Sequence, residues 1–339
     1  LQEAEFRNTN WFDLLFHNSI SQNHAISFST GTEKASYYTS LSIMNDPGWT
    51  NKSEVKRYTA NVNALYHISR SLSLNLISNA SYRKQKAPGT LSSSVDPVSG
   101  EVKRDFDINP YSYALNTSRT LDPNAYYVRN YAPFNILHEL DNNYIDLNVT
   151  DLKFQGELKW KPLNKIELSA LGAYKTSMTT QSHTIKDYSN QAWAFRAMDD
   201  ATMRQANPWL YTDPENANTL PVSVLPVGGF YRETKYSMDS YDFRGTASYN
   251  DVYGENHIFN FFGGMEINAV DRQRTWFNGV GMQYEMGMLP AYEYQYFKQG
   301  SEENAQYYTV ERTRQREVSF FGTATYSYQG KYTLNGTLR

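Results

Sequence analysis

The sequence predicts an all-β chain: an antiparallel transmembrane β-barrel wall of about ten strands, with long extracellular loops and short periplasmic turns. Three observations predict it. Apolar side chains recur at every second residue, the period of a strand with one apolar and one polar face. Several such stretches run about 12 residues or more, beyond the five or six usual in soluble domains. The connections alternate between a few residues and about 40 to 60, loop lengths that are a warning in a compact soluble domain but are expected of an outer-membrane barrel.

The first strand is read over 24–30 and the second over 35–44. In the third, 57–69, Tyr58, Ala60, Val62, Ala64, Tyr66 and Ile68 share one face, and Thr59, Asn61, Asn63, Leu65 and His67 the other. In the fourth, 71–82, Leu72, Leu74, Leu76, Ala80 and Tyr82 face one way and Ser71, Ser73, Asn75, Asn79 and Ser81 the other. The fifth carries Ile145, Leu147 and Val149 at odd positions, then Leu152, Phe154, Leu158 and Trp160 at even ones. That phase slip predicts a β-bulge near Thr150 and Asp151. Further strands are read over 165–178, 241–250, 257–269, 317–328 and 332–339. Between them fall short turns at 31–34, 69–70, 161–164, 251–256 and 329–331, and longer loops over 45–56, then 84–143, 179–232 and 273–313.

A soluble sandwich also alternates, so charge placement carries the choice. Lys153, Glu157, Lys159, Lys165, Glu167, Asp242, Arg244 and Glu266 all fall on one side. Phe154, Leu158, Ile166, Leu168, Ala170, Phe243, Ala247, Phe259, Phe261 and Ile267 fall on the other. A basic side chain facing lipid costs roughly 2–4 kcal/mol at mid-membrane, so lipid accepts only the register that turns these charges inward. Tyr37, Tyr58, Tyr66, Tyr82, Tyr174, Tyr249, Tyr326, Tyr328 and Tyr332 lie near strand ends, as an aromatic girdle requires.

Composition excludes other classes. A net charge of −3 supplies no basic field for nucleic acid. With no Cys there is neither a disulfide scaffold nor a Cys-based metal site or nucleophile. No apolar run is long enough for a membrane helix. Leu1 is not an initiator Met, so the expectation is a removed leader or a start inside a longer protein.

The stretch NTNWFDLLFHNSISQNHAISFSTGTEKASYYTSLSIMNDPGW resembles the start of the barrel in SusC-like TonB-dependent transporters of Bacteroidetes. Asn23-His24, the turn Gly31-Thr32-Glu33-Lys34 with Tyr37-Tyr38, and Arg57-Tyr58-Thr59 carry the likeness. Asn109-Pro110 with Tyr113-Ala114, the run Tyr131-Ala132-Pro133-Phe134-Asn135, and Asn142-Asn143-Tyr144 continue it, and FFGTATYSYQGKYTLNGTLR matches the family's Gly-aromatic hairpin. Thr30 departs from the family, which often has Gly there.

The resemblance implies a barrel of about 22 strands around an N-terminal plug. On it, 1–23 is expected to be the plug-to-barrel lead-in and 24–339 the first part of the barrel, with plug and remaining strands outside this chain. It implies TonB-dependent import of an oligomeric nutrient, glycan or oligopeptide, across the bacterial outer membrane. The implied partners are a SusD-like surface lipoprotein, TonB acting through the plug, and outer-membrane lipid, with a dimer of SusC–SusD pairs as the higher assembly. The alternative is a non-transporting adhesin or receptor barrel.

The loops are rich in aromatic residues, whose flat faces and polar tips suit sugars, peptides or a protein lid. The candidates for contact with substrate or lid are Trp193, Trp209, Tyr211, Trp276 and Tyr284, against the plainer reading that such rings pack the loops together. No catalytic residue, cofactor or metal is assigned. Asp105-x-Asp107-x-Asn109 matches the first half of a calcium loop, but Pro110 and Asn116 stand where Gly and Glu belong, so a solvated loop is expected there. The six His form no metal-binding pair, and no Gly-x-Ser-x-Gly elbow is present.

Overall fold

The computed structural model describes residues 6–89, 94–95, 102–103, 106–254, 256–303 and 307–339. Its body is one antiparallel sheet: β1 (Gln22–Gly31), β2 (Ala35–Asp46), β3 (Glu54–His67), β4 (Leu72–Pro88), β5 (Asn143–Leu163), β6 (Ile166–Ile185), β7 (Gly229–Tyr253), β8 (His257–Gln283), β9 (Tyr308–Tyr328) and β10 (Tyr332–Leu338). Each strand pairs with its neighbours in sequence, so the sheet is an up-and-down meander, and β1 and β10 are its open edges. These are the ten strands that the period of two predicts, in an open arrangement that fits part of a barrel wall.

The expected register sets the two faces. Phe243 stands opposite Ile267 and Arg244 opposite Glu266, with an Arg244–Glu266 ion pair of 2.8 Å on the polar face. Lys159 and Glu157 pair on the same face at 3.4 Å. The other face carries large apolar side chains with nothing over them: Phe28 is 65% exposed, Phe320 66% and Leu334 73%. A continuous apolar face of this kind has to be covered by something apolar. On β9 it runs without a charge through Val318, Phe320, Gly322, Ala324, Tyr326 and Tyr328. Ten residue steps at about 3.3 Å, tilted by about 40°, give an apolar band about 25 Å tall, the height lipid requires.

Aromatic rows bound the band. Tyr58 stacks on Tyr82 at 6.3 Å and Tyr174 packs against Tyr241 at 5.0 Å along one rim. At the other rim Phe259 meets Tyr326 at 5.0 Å and His257 meets Tyr328 at 5.1 Å. The band also staggers. From Tyr82 the pairing line runs through Thr150, Met178, Ser237 and Gln273 to Arg312, yet on β9 the uninterrupted apolar run begins only at Val318, six residues lower. That is about one residue of shear per strand, as tilted barrel strands need.

Two expectations are corrected. Pairing through Thr150 and Asp151 is unbroken on both sides, against Tyr82 and Ser81 of β4 and against Met178 and Ser177 of β6, so there is no bulge there. The phase flips because β5 leaves the hydrocarbon: above Leu152 the outward residues are Thr150, Asn148 and Asp146, and Val149, Leu147 and Ile145 point inward. The long connections are also shorter than 84–143, 179–232 and 273–313. Strands β4 to β9 extend beyond the band, leaving 89–142, 186–228 and 284–307. Ladder hydrogen bonds continue where water wets the wall, but the apolar period that reports a strand in sequence does not.

Finally, β1 runs from the long-loop end to the short Gly31–Ala35 turn, so the stretch before it lies among the loops. The Thr9 N–H donates to the Arg119 carbonyl at 2.8 Å, Trp11 Nε1 to the Ser118 carbonyl at 3.0 Å, and the His17 N–H to the Trp49 carbonyl at 3.0 Å. The described part of 1–23 therefore packs among the long loops.

The buried apolar core lies at the long-loop end, in the loops and the strand ends that meet them, rather than along the lipid band. Trp11, Leu15, Ile108, Phe134, Ile136 and Leu140 form one cluster. Ile185, Ala192, Leu225, Phe230 and Val280 form a second, and Phe106, Ala132 and Ala194 a third.

Candidate functional site

The long-loop end is built from short helices, most of which begin on polar side-chain caps. In α1 (Trp11–Leu15) two of five residues are buried. The Asn109 side chain accepts from the Ser112 N–H at 3.1 Å and starts α2 (Pro110–Asn116), with Pro110 in the first turn, where its missing N–H costs nothing. Asn109 thus serves as a cap in the stretch that resembles half a calcium loop; Asp105 of that stretch lies outside the described residues. Asn135, Ser189 and Asp200 cap α3 (Ile136–Asn142), α4 (Asn190–Arg196) and α5 (Ala201–Ala206) in the same manner.

A buried polar clamp locks the loops of different strands together. Residues Tyr127–Arg129 and Ala132–Phe134 form a hairpin whose turn, Asn130-Tyr131, has both residues left-handed (φ 53° and 63°). Asn190, at the start of α4, points Nδ2 at the carbonyls of Arg129 (2.7 Å), Ala132 (3.1 Å) and Pro133 (3.1 Å). Its own N–H donates to Glu139 Oε1 of α3 at 2.7 Å. Burial pushes the Glu139 carboxyl up, against the contacts with His138 and the Asn190 N–H that favour its ionised form. Beside them, His183 Nε2 donates to Asn143 Oδ1 at 2.6 Å, which fixes the ring tautomer. Burial, aided by the charge of Arg232, holds the His183 pKa down at about 3, so the ring stays neutral.

A second clamp links 186–228 with 284–307. Lys298 on α6 (Tyr294–Glu302) lies 2.9 Å from Asp213 and 3.5 Å from Glu302, and the Tyr211 hydroxyl donates to Glu302. Burial and the Glu302 carboxylate push the Tyr211 pKa up to about 12.

The predicted contact residues divide between packing and the polar face. Trp193 on α4 stacks on His138 (6.2 Å) and meets Tyr126 and Tyr188 edge-on. Trp209 packs against Phe106 (4.5 Å), Tyr131 (5.8 Å) and Phe195 (6.1 Å). Tyr211 is buried, and the Tyr284 hydroxyl donates to the Phe230 carbonyl at 2.6 Å. Trp276 differs: it stands on β8 between Thr234 and Thr309, on the polar face of the wall.

Just below Trp276, a cleft of about 280 Å³ opens on that polar face, lined by Thr179, Tyr236, Met238, Arg272, Arg274 and Glu311. Arg274 lies over the Tyr236 ring (5.9 Å) and pairs with Glu311 at 3.1 Å. An aromatic face flanked by a cation, an anion and hydroxyls suits an extended polar chain, because it offers stacking and both signs of hydrogen-bond partner. Sequence reading missed Tyr236, Arg272, Arg274 and Glu311. The alternation of 229–250, 269–283 and 308–316 places them inward once those stretches are taken as strands. Among the described residues no group of His, Asp and Glu is arranged to hold a metal ion.

No family model matches the chain. A TonB-dependent receptor of Formosa agariphila is 21% identical over 332 residues, which is 98% of this chain and 29% of that protein. The chain also resembles solved structures of the RagAB peptide importer. One, in its closed-closed state, matches at 18% identity with a TM-score of 0.66, covering 98% of this chain and 33% of that one. Another, in the open-open state, matches at 18% identity and a TM-score of 0.64, covering 97% and 32%. The chain thus spans about a third of the length of the proteins it resembles. These matches establish the fold, a partial barrel wall, and agree with the SusC-like resemblance read from the sequence.

Proposed function

We propose that this chain supplies part of the wall and the extracellular mouth of a TonB-dependent importer of the bacterial outer membrane, working with a SusD-like surface lipoprotein. The observation that carries the reading is the wall itself: an apolar band about 25 Å tall outside, a polar face inside, and every long loop gathered at one end. The short-turn end is then periplasmic, where TonB would act on a plug. The loop layer is the mouth, where the lipoprotein would deliver cargo.

An oligopeptide is the favoured cargo. The cleft at Tyr236, Arg274 and Glu311 offers a ring and both charges, which match a peptide's amide chain and its charged ends and side chains. The structural relatives named as peptide importers support this choice over a glycan. The test is growth and uptake in cells whose own gene is deleted and restored with the full-length protein. Loss of oligopeptide uptake, restored by the wild type only when TonB is present, is the expected result. Uptake of oligosaccharides alone would move the cargo to glycans, and binding without uptake would leave an adhesin or receptor. Trp276→Ala is expected to lower uptake several-fold at unchanged surface abundance; unchanged kinetics would remove Trp276 from the path.

A further inference from the structure

Just above the apolar band, on its outer side, stands a ladder of arginines. Val310, Arg312, Arg314, Arg316, Val318 and Phe320 share one face of β9, opposite Thr275, Gln273, Asp271, Ala269, Ile267 and Met265 of β8. Val318 and Ile267 belong to the band, so the arginines begin where the band ends. At about 3.3 Å per residue and a tilt of about 40°, Arg316 lies about 5 Å and Arg314 about 10 Å above the hydrocarbon boundary. The polar layer of one leaflet is about 5 to 7 Å deep. The first rung therefore stands at headgroup height and the second just beyond it.

The ladder is not neutralised by its neighbours. Asp271 takes Arg316 in a two-pronged contact (2.6 and 2.9 Å) and lies 3.8 Å from Arg314 Nε. Arg312 Nε donates to the uncharged Gln273 side chain at 3.0 Å. Three cations thus meet one anion. The Arg314 side chain is 77% exposed and holds only the long Asp271 contact among the described residues. The wall does not need this excess to stay wetted. Beside it on β7, the outward residues Glu233, Lys235 and Asp239 carry both signs, with Lys235 and Glu233 paired at 2.8 Å. Elsewhere on the outer face Lys56 is held by Glu54 at 3.0 Å and Lys86 lies over the Tyr144 ring at 3.9 Å. A planar guanidinium presents paired donors that match a phosphate better than an ammonium does.

We propose that the outer face of β8 and β9 above Val318, with Arg312, Arg314 and Arg316, binds the phosphate groups of an anionic glycolipid of the surrounding outer leaflet. The proposal rests on the membrane orientation given under the proposed function. Lipid is the occupant because the site looks away from the polar face and is continuous with the apolar band. One molecule can then bury its acyl chains along Val318 and Phe320 and place its phosphate on the ladder.

The test uses the full-length protein in detergent, titrated with diphosphoryl lipid A and read by native mass spectrometry. Dephosphorylated lipid A, phosphatidylethanolamine and inorganic phosphate are run in parallel. The wild type is expected to retain diphosphoryl lipid A above all three. R312Q/R314Q/R316Q is expected to weaken that binding on the order of a hundredfold, with the heat-modifiable barrel intact. R272Q/R274Q, which removes two charges from the opposite face, should leave lipid retention unchanged. If the triple variant does not fold, R314Q alone should show a several-fold loss. Equal retention by the arginine variants, equal binding of dephosphorylated lipid A, or competition by inorganic phosphate at lipid A concentrations would overturn the site. A wild-type protein that stays monodisperse without detergent would overturn the membrane reading, a result separate from any of these.

Discussion

The wall and the loop layer hold together by opposite means. The wall carries its apolar side chains outward, unburied by protein, and keeps its shape through a ladder that pairs each strand from β1 to β10 with its neighbours. The loop layer packs inward around Trp11, Leu15, Ile108 and Phe134, and its segments are tied by buried polar groups such as Asn190 and Glu139. The difference follows from the solvent. In hydrocarbon every backbone group must be paired, and apolar side chains gain nothing by burial within protein. In water the same side chains must be buried, and each buried polar group must find a partner. A substitution should therefore have contrasting effects in the two regions, and several variants can break or sharpen the contrast.

The largest effect is expected for a charge in the band. Phe261→Arg, near the middle of the apolar band on β8, should cost roughly 2–4 kcal/mol and prevent recovery of a heat-modifiable barrel. Leu168→Arg, nearer the rim, should cost less. The same Arg at Thr323, on the polar face, should assemble normally, and equal assembly of all three would abolish the distinction between faces.

Next comes the clamp. Asn190→Ala strands three carbonyls and should destabilise the loop layer by about 2–3 kcal/mol. Hydrogen exchange should rise in the 127–134 hairpin while the strands of the wall stay protected. A global loss of protection would mean that the two regions fold as one unit.

A pH effect of smaller size is expected at His183. Its folded pKa is about 3 against 6.5 for the free ring, so the unfolded loop binds more protons between those values. The stability it contributes is complete above 6.5 and is lost as pH falls through that window. Glu139, raised above 4.5, acts in the opposite sense. His183→Gln should therefore flatten the rise in loop exchange between pH 7 and pH 5, and an unaltered pH profile would assign that rise to other groups. The smallest effect is expected on the wetted wall: Arg244→Gln, which opens the ion pair with Glu266, should change stability by less than about 1 kcal/mol in denaturant titrations.

How much of this was legible varied with the solvent too. The run from Tyr58 to Ile68 announces a strand because lipid wets one face and water the other. Past Met178 and Tyr241 both faces are polar or packed, so the ends of β6 and β7 leave no period in the sequence, and the loops look longer than they are. The phase flip at Asp151 is visible in the sequence, but its cause, the exit of β5 from the band, shows only when the neighbouring register is known. The loop core was not legible. Trp11 finds its hydrogen-bond partner at Ser118 and Asn190 its partners at Arg129 and Ala132, contacts between distant segments that no local pattern encodes. The caps at Asn109 and Ser189 were in plain view as residue types. The aromatic candidates were legible as residues but not as surfaces, because Trp209 and Tyr211 are spent on packing while Tyr236 and Arg274 line the polar face.

The central claim, that one face of this sheet meets lipid and the other does not, is most directly tested by spin labelling. The chain has no Cys, so single cysteines can be placed one at a time from 317 to 324. Each is labelled with a nitroxide in the full-length protein reconstituted in lipid. Collision rates with oxygen, which concentrates in hydrocarbon, are then compared with those of a water-soluble nickel chelate. The account predicts strict alternation: oxygen dominant at 318, 320, 322 and 324, and oxygen contact low at 317, 319, 321 and 323. Nickel contact that is equal on both faces would contradict it and return the sheet to water.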